Sequence, residues 1–133
     1  MTLPRSFDVR VYYEDTDFSG NVYHASYLKF VERARTEFLR AEGVHHFELA
    51  REGVAFAVRT MSIDFVAPAH IDDLLTVTTE LVEITGARLT LDQTVSRDGR
   101  TLVVARVMVV AINAEGRATR LPKALVARFG GAR

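Results

Sequence analysis

Tyr27-Leu28-Lys29-Phe30-Val31-Glu32-Arg33-Ala34-Arg35-Thr36-Glu37-Phe38-Leu39-Arg40-Ala41 carries a helical stripe. Tyr27, Phe30, Val31, Ala34, Phe38 and Ala41 recur at i, i+3, i+4, i+7, i+11 and i+14, which puts them on one face of an α-helix. Lys29, Glu32, Arg33 and Arg40 fall off that face. The spacing predicts one long helix from about Ala25 to Ala41, with Gly43 as its stop. An apolar stripe of this length must lie on another element.

On either side of the helix the period changes to two. Phe7, Val9, Val11 and Tyr13 alternate with Asp8, Arg10 and Tyr12, which predicts a strand over Phe7–Tyr13. A short helical stretch is expected around His45 to Arg51. Beyond it the chain reads as strands over roughly Ala55–Ala67, Leu74–Thr85, Ala87–Arg97 and Thr101–Asn113. Asp98-Gly99 between the last two is a hairpin signal. Gly86 marks the preceding turn, and Pro68 with Asp72-Asp73 interrupts the first pair. Pro122 is placed to open a final helical turn through Ala127. The soft ends are residues 1–6 and Gly130-Gly131-Ala132-Arg133.

Strand Thr101–Asn113 bears on assembly. Leu102, Val104, Met108, Val110 and Ile112 share one face, and Val103, Ala105, Val107, Val109 and Ala111 share the other. Only Arg106 breaks the apolar pattern. An antiparallel sheet usually wets one face, and one helix covers only one. A second subunit is the simplest cover, so an oligomer is expected. The architecture that follows is α+β, an antiparallel sheet of about five strands wrapped around one long helix.

The chain has 133 residues, 48% of them hydrophobic, enough for one packed domain over 1–133. Lys plus Arg and Asp plus Glu both number 17, so no net basic field suggests nucleic acid. The absence of cysteine removes thiol nucleophiles, thiolate metal sites and disulfides, and fits a reducing compartment. No apolar run reaches the roughly 18 residues of a membrane span. The N-terminus lacks a signal-peptide core. The expected location is the cytoplasm, with no membrane insertion.

The chemistry concentrates in the segment that joins the first strand to the helix, Tyr12-Tyr13-Glu14-Asp15-Thr16-Asp17-Phe18-Ser19-Gly20-Asn21-Val22-Tyr23-His24-Ala25-Ser26-Tyr27. It sets carboxylates, a glycine and a histidine just ahead of a helix start. A helix start offers free backbone N–H groups and partial positive charge, which stabilise a developing oxyanion. A carboxylate beside it attacks an acyl carbon or activates a water. A thioester suits such a site, because a thiolate leaves without strong assistance. Asp17 and His24 are the candidate catalytic residues, and Tyr13, Tyr23 and Tyr27 are candidate walls of the substrate pocket. Glu14 and Asp15 read as solvated loop acids. His45, His46 and His70 have no metal-ligand spacing with nearby acids, so no metal is expected. Arg59, Arg88 and Lys123 are candidates for phosphate contacts.

The same segment resembles the 4-hydroxybenzoyl-CoA thioesterase family, in particular its Tol-Pal-associated acyl-CoA thioesterases. The resemblance rests on Tyr13-Glu14-Asp15-Thr16-Asp17, Gly20, Val22-Tyr23-His24-Ala25-Ser26-Tyr27 and Glu32-Arg33-Ala34-Arg35-Thr36-Glu37. It extends to Val58-Arg59, Ala67-Pro68-Ala69, Asp72-Asp73 and Leu121-Pro122-Lys123. It implies a hotdog fold, a homodimer or homotetramer, and cofactor-free hydrolysis of acyl-CoA, or of acyl carrier protein thioesters. It assigns the catalytic carboxylate to Asp17, as nucleophile or general base, and the carbonyl-polarising N–H to the helix start near His24. The aromatic-acyl branch carries an aromatic residue where this chain has His24, which points to aliphatic acyl groups. Two other readings share the fold. A non-catalytic acyl-CoA or acyl-carrier-protein binding module would not need the carboxylate at Asp17. A hydratase or dehydratase would set Asp and His closer together around an Asn-Pro pair, and no Pro follows Asn21.

Overall fold

The computed structural model describes residues 3–130. Its elements are β1 (Arg5–Arg10), α1 (Ser26–Ala41), α2 (His46–Arg51), β2 (Ala55–Phe65), β3 (Leu74–Ile84), β4 (Arg88–Arg97), β5 (Arg100–Ile112), β6 (Ala118–Thr119) and α3 (Lys123–Gly130). The strands form one antiparallel sheet in the order β1-β3-β4-β5-β2, with the two-residue β6 added on β5. The sheet curls around α1. This is the α+β hotdog arrangement, with six strands rather than about five, because β6 pairs Ala111 and Ile112 just beyond the last β4 partner, Val110.

Helix α1 forms because its stripe finds a sheet. Tyr27, Phe30, Val31, Ala34 and Phe38 are buried, as the period requires. Ala41 is exposed, since the helix outruns the sheet there, and Leu39 is buried in its place. Gly43 ends the helix at φ +88°, with its N–H on the Arg40 carbonyl. Asp98 (φ 50°) and Gly99 (φ 81°) make the β4–β5 hairpin turn.

The core has two apolar halves. One surrounds the first turns of α1 and includes Val77, Val95 and Val103; the other surrounds its last turns and includes Leu91, Val107 and Leu125. A polar layer divides them. Gln93 of β4 is fully buried, pairs across the sheet with Thr79 and Ala105, and donates to the Val31 carbonyl of α1 (2.8 Å) and to the Thr79 hydroxyl (2.9 Å). Its Oε1 accepts from Arg35 Nη1 at 2.9 Å.

Several sequence expectations are corrected. The first strand runs over Arg5–Arg10, not Phe7–Tyr13. Val11 instead bonds the backbone of Asp72 and Asp73, and the chain peels into a 3₁₀ turn at Tyr13–Asp15. Its start at Arg5 is ordered, so residues 5 and 6 are not part of a soft end; residues 1 and 2 and 131–133 lie outside the described residues. Leu102 is fully buried rather than on the face of Val104, because the β4–β5 register shifts between Val95 and Ser96 and turns it inward. The final helix extends to Gly130, burying Leu125 and Phe129. The outer face is less apolar than β5 alone suggested. Thr78 and Thr94 pair across it, and Arg106 binds Asp92 at 2.7 and 2.9 Å.

One ionic clasp joins distant parts of the chain. Glu42, 7% exposed at the end of α1, accepts from Arg5 of β1 (2.7 and 2.9 Å) and from Arg128 of α3 (2.9 Å). Burial alone would raise the Glu42 pKa. The hydrogen bonds from Arg128 and Arg5 outweigh it and hold the carboxyl below its ordinary value. A depressed folded-state pKa contributes stability above the unfolded pKa, about 4.3 for Glu, and that contribution is lost as pH falls through the folded value. Glu42→Gln is expected to cost about 1–2 kcal/mol at neutral pH, a figure discounted because both guanidinium groups are half exposed. Urea midpoints measured against pH should show the gap between native and variant closing below about pH 4.

Candidate active site

The segment between β1 and α1 is built by short-range hydrogen bonds. Asp15 Oδ2 accepts the Tyr12 N–H at 2.8 Å, closing the 3₁₀ turn. Thr16 and Val22 then form an isolated bridge, and Asp17 N–H bonds the Asn21 carbonyl at 3.0 Å. The chain therefore doubles back over Asp17-Phe18-Ser19-Gly20. The reversal needs Gly20, at φ +86°. Asp15 also receives the returning strand and the helix start, since its carbonyl accepts the Tyr23 N–H (2.9 Å) and the Ser26 hydroxyl (3.1 Å).

Asp17 stands at the tip of this reversal. Its Oδ1 accepts the Ser19 hydroxyl (2.5 Å) and the Ser19 N–H (2.8 Å). These two bonds hold its pKa below the usual carboxylate value. The group is ionised at neutral pH and faces solvent, with Oδ2 unengaged among the described residues.

A second loop fastens the first from the side. Val22 N–H bonds the Ala69 carbonyl, Ile71 N–H bonds the Gly20 carbonyl, and Asn21 bridges His70. That loop is tied to the sheet through Asp73, whose Oδ2 accepts the His70 N–H (2.8 Å) and Arg97 Nη1 (2.6 Å). It is tied to α1 through the Tyr27 hydroxyl, which accepts the buried Ala69 N–H at 3.1 Å.

At the start of α1 the backbone donors divide sharply. The N–H groups of Tyr23, Ser26, Tyr27 and Leu28 have acceptors; those of His24 and Ala25 have none among the described residues. No side chain caps this end. Two donors are thus free at the positive pole of the helix.

The sequence-predicted residues separate into groups. Tyr23, His24 and Tyr27 come together with Phe65 of β2, with ring centroids 4.6 Å apart for Tyr23–His24, 6.2 Å for His24–Phe65 and 5.7 Å for Tyr27–Phe65. Asp17 lies on the loop locked to this helix start. Tyr27 is 3% exposed and works from inside the fold, while Tyr23 remains half exposed. Tyr13 is 82% exposed on the 3₁₀ turn, since the strand expected to carry it ends earlier. Arg88 pairs with Glu83 at 3.6 Å, and Arg59 is the extra residue of a bulge on exposed strand β2. Ser19 and Phe65 were not singled out from the sequence. Ser two residues after Asp is an Asx-turn signal; Phe65 carries no local signal, because its place depends on where β2 lands.

Comparison with known proteins identifies the family and supports the fold. Residues 11–129 match the family model described as the thioesterase-like superfamily. The chain is 48% identical over 126 residues to the acyl-CoA thioester hydrolase YbgC of Escherichia coli O6:H1, covering 91% of this chain and 92% of that one. It is 44% identical over 126 residues to the acyl-CoA thioesterase YbgC of Haemophilus influenzae, covering 93% of each. The crystal structure of a probable thioesterase from Bartonella henselae superposes with a TM-score of 0.87 at 46% identity, covering 90% of this chain and all of that one.

Ser19→Ala removes the larger of the two hydrogen bonds on Asp17 while keeping the backbone one. The Asp17 carboxyl, followed by NMR titration, should shift upward towards the ordinary Asp value in that variant.

Proposed function

The chain belongs to the thioesterase-like superfamily and is a thioester hydrolase, and from that premise we propose a single-domain cytoplasmic enzyme that cleaves aliphatic acyl-CoA, or acyl carrier protein thioesters, to the free acid and the thiol. The observation that carries the proposal is an Asp17 carboxylate on a loop fastened through Asp15 to the start of α1, where the N–H groups of His24 and Ala25 are free among the described residues. The thioester carbonyl oxygen takes these N–H groups as its oxyanion hole. Charge that develops on that oxygen during attack is stabilised by donors already fixed in place.

Asp17 then acts in one of two ways. As general base it takes a proton from water while the water oxygen bonds the acyl carbon. As nucleophile its carboxylate oxygen bonds that carbon, giving an acyl anhydride that water later opens. In both, the carbon–sulfur bond breaks with its electron pair on sulfur, and the thiolate takes up a proton. A thiol of ordinary pKa leaves readily at neutral pH, so the lowered pKa of Asp17 suffices: the step needs an ionised carboxylate more than a strong base. The His24 ring stands next to its own N–H and Phe65, and it serves to orient water or the carboxylate. Tyr23 and Tyr27 border the acyl group.

We further propose that the working form is a homodimer or homotetramer. Asp17 lies in open solvent in the protomer, and its neighbour Phe18 is fully exposed. Electrostatic stabilisation is strongest where water is excluded, so a second copy is needed to cover the site. Strand β2 supports this: eleven residues long, it lies at the sheet edge with one side unpaired.

Thiol release from acyl-CoAs of graded length tests the reading. Asp17→Asn keeps the shape and removes the charge, so turnover should fall by about 10²-fold or more. Equal activity in native protein and variant would remove Asp17 from the mechanism. Sedimentation equilibrium should give a dimer or tetramer mass; a monomer at working concentration would overturn the assembly.

A further inference from the structure

A cavity of about 170 Å³ lies where the middle of α1 faces α2, β2 and the inner faces of β4 and β5. One water needs only roughly 10–15 Å³. Leu89, Leu91 and Phe56 form its apolar side, and Glu32, Arg35 and His46 its polar side. Arg35 is the unusual member. It is only 9% exposed, yet its guanidinium carries five N–H donors. Among the described residues it makes one hydrogen bond, to the neutral amide of Gln93, and no ion pair. Burial pulls its pKa down against the attraction of Glu32 one turn earlier. A buried cation with unfilled donors is costly unless an anion meets it. Here the guanidinium lines a cavity that is apolar on the opposite side and polar around Arg35 itself, with Glu32 and His46, which suits an anion that brings its own apolar surface.

We propose that this cavity binds an aliphatic carboxylate, with the carboxylate on Arg35 and the chain against Leu89, Leu91 and Phe56. The helix gives a route to it. Within α1, Arg35 follows Tyr27 of the first turn by eight residues, about 12 Å along the axis, a little over two turns. Strand β2 touches both places, with Phe65 near the His24 and Tyr27 rings and Phe56 at the cavity. Two sources share the chemistry. One is the far end of an acyl group that terminates in a second carboxylate, and this source rests on the hydrolase function proposed above. The other is a free fatty acid of the kind that hydrolysis releases.

The test has two arms. Calorimetric titration with octanoate should show binding to the native protein, weakened about tenfold or more by Arg35→Met, the scale of a charge-assisted hydrogen bond. Arg35→Lys should weaken it less, and Ala57→Leu, which fills the cavity wall without touching charge, should also weaken it. If Arg35→Met fails to fold, the other two variants carry this arm. In the second arm, kcat/KM is compared for acyl-CoAs of equal length that end in methyl or carboxylate. A preference of about tenfold for the carboxylate end, reduced to parity in Arg35→Met when the two substrates are compared within each protein, assigns the site to the far end of the substrate. Octanoate binding without that preference assigns it to the free acid. The absence of both octanoate binding and the carboxylate preference overturns the proposal, even where Asp17-dependent turnover of methyl-ended thioesters upholds the hydrolase. Absence of all turnover would instead defeat the hydrolase, and the octanoate arm would still decide the cavity.

Discussion

The position of α1 on the sheet is set by one buried amide. Gln93 bonds the Val31 carbonyl on the helix and the Thr79 hydroxyl on the neighbouring strand, while accepting from Arg35. Apolar contacts alone would let a helix slide along a smooth sheet, because burial is non-directional. A buried amide with three specified partners cannot slide, since each displaced partner would be left unsatisfied. The layer Thr79–Gln93–Ala105 therefore fixes where the first turn of α1 falls. The free N–H groups at His24 and Ala25 then stand at a defined place relative to the loop that carries Asp17.

That loop is held from both sides by backbone rather than by bulk. Asp15 ties it to the start of the helix, and Ala69 with His70 ties it to the β2–β3 connection. The Tyr27 hydroxyl links the two sets by accepting the Ala69 N–H. A carboxylate can then be exposed and still be placed, since positioning comes from the chain beneath it and not from walls around it. The hydrogen bonds from Ser19 lower the Asp17 pKa further in a carboxyl already exposed to solvent, so the site combines rigid support with an open front.

Much of this was legible in the sequence, and the reason differs by element. The helix was readable because its burial is one-sided and periodic. The β4–β5 hairpin was readable because Asp98-Gly99 supports positive φ at both positions. The loop with Asp17 and His24 stood out because carboxylates beside a helix start suit acyl transfer and because its motif resembles a known family; the residue types alone also suit a capped turn. What escaped the sequence depends on contacts distant in the chain. Tyr13 read as strand by alternation, but Val11 is captured by the Asp72-Asp73 turn and the alternation then loses its sheet. Leu102 read as outward by parity, and one shift of register reverses it. Arg35 gave no signal beyond being charged on a helix; only the burial of its whole side of α1 makes it conspicuous.

The clasp at Glu42 has a meaning for the order in which the chain assembles. Arg5 and Arg128 come from opposite ends of the described chain, so their joint hold on one carboxylate closes nearly the largest loop available. Closing a long loop costs entropy that grows slowly with its length and is recovered only once the interior is already in place. The clasp is therefore a late contact, made after α1 has found the sheet. It works as a reversible counterpart of a cross-link, in a chain with no cysteine to make one. Because both ends share the same anchor, β1 and α3 gain or lose it together, and loosening at one end is communicated to the other without passing through the core.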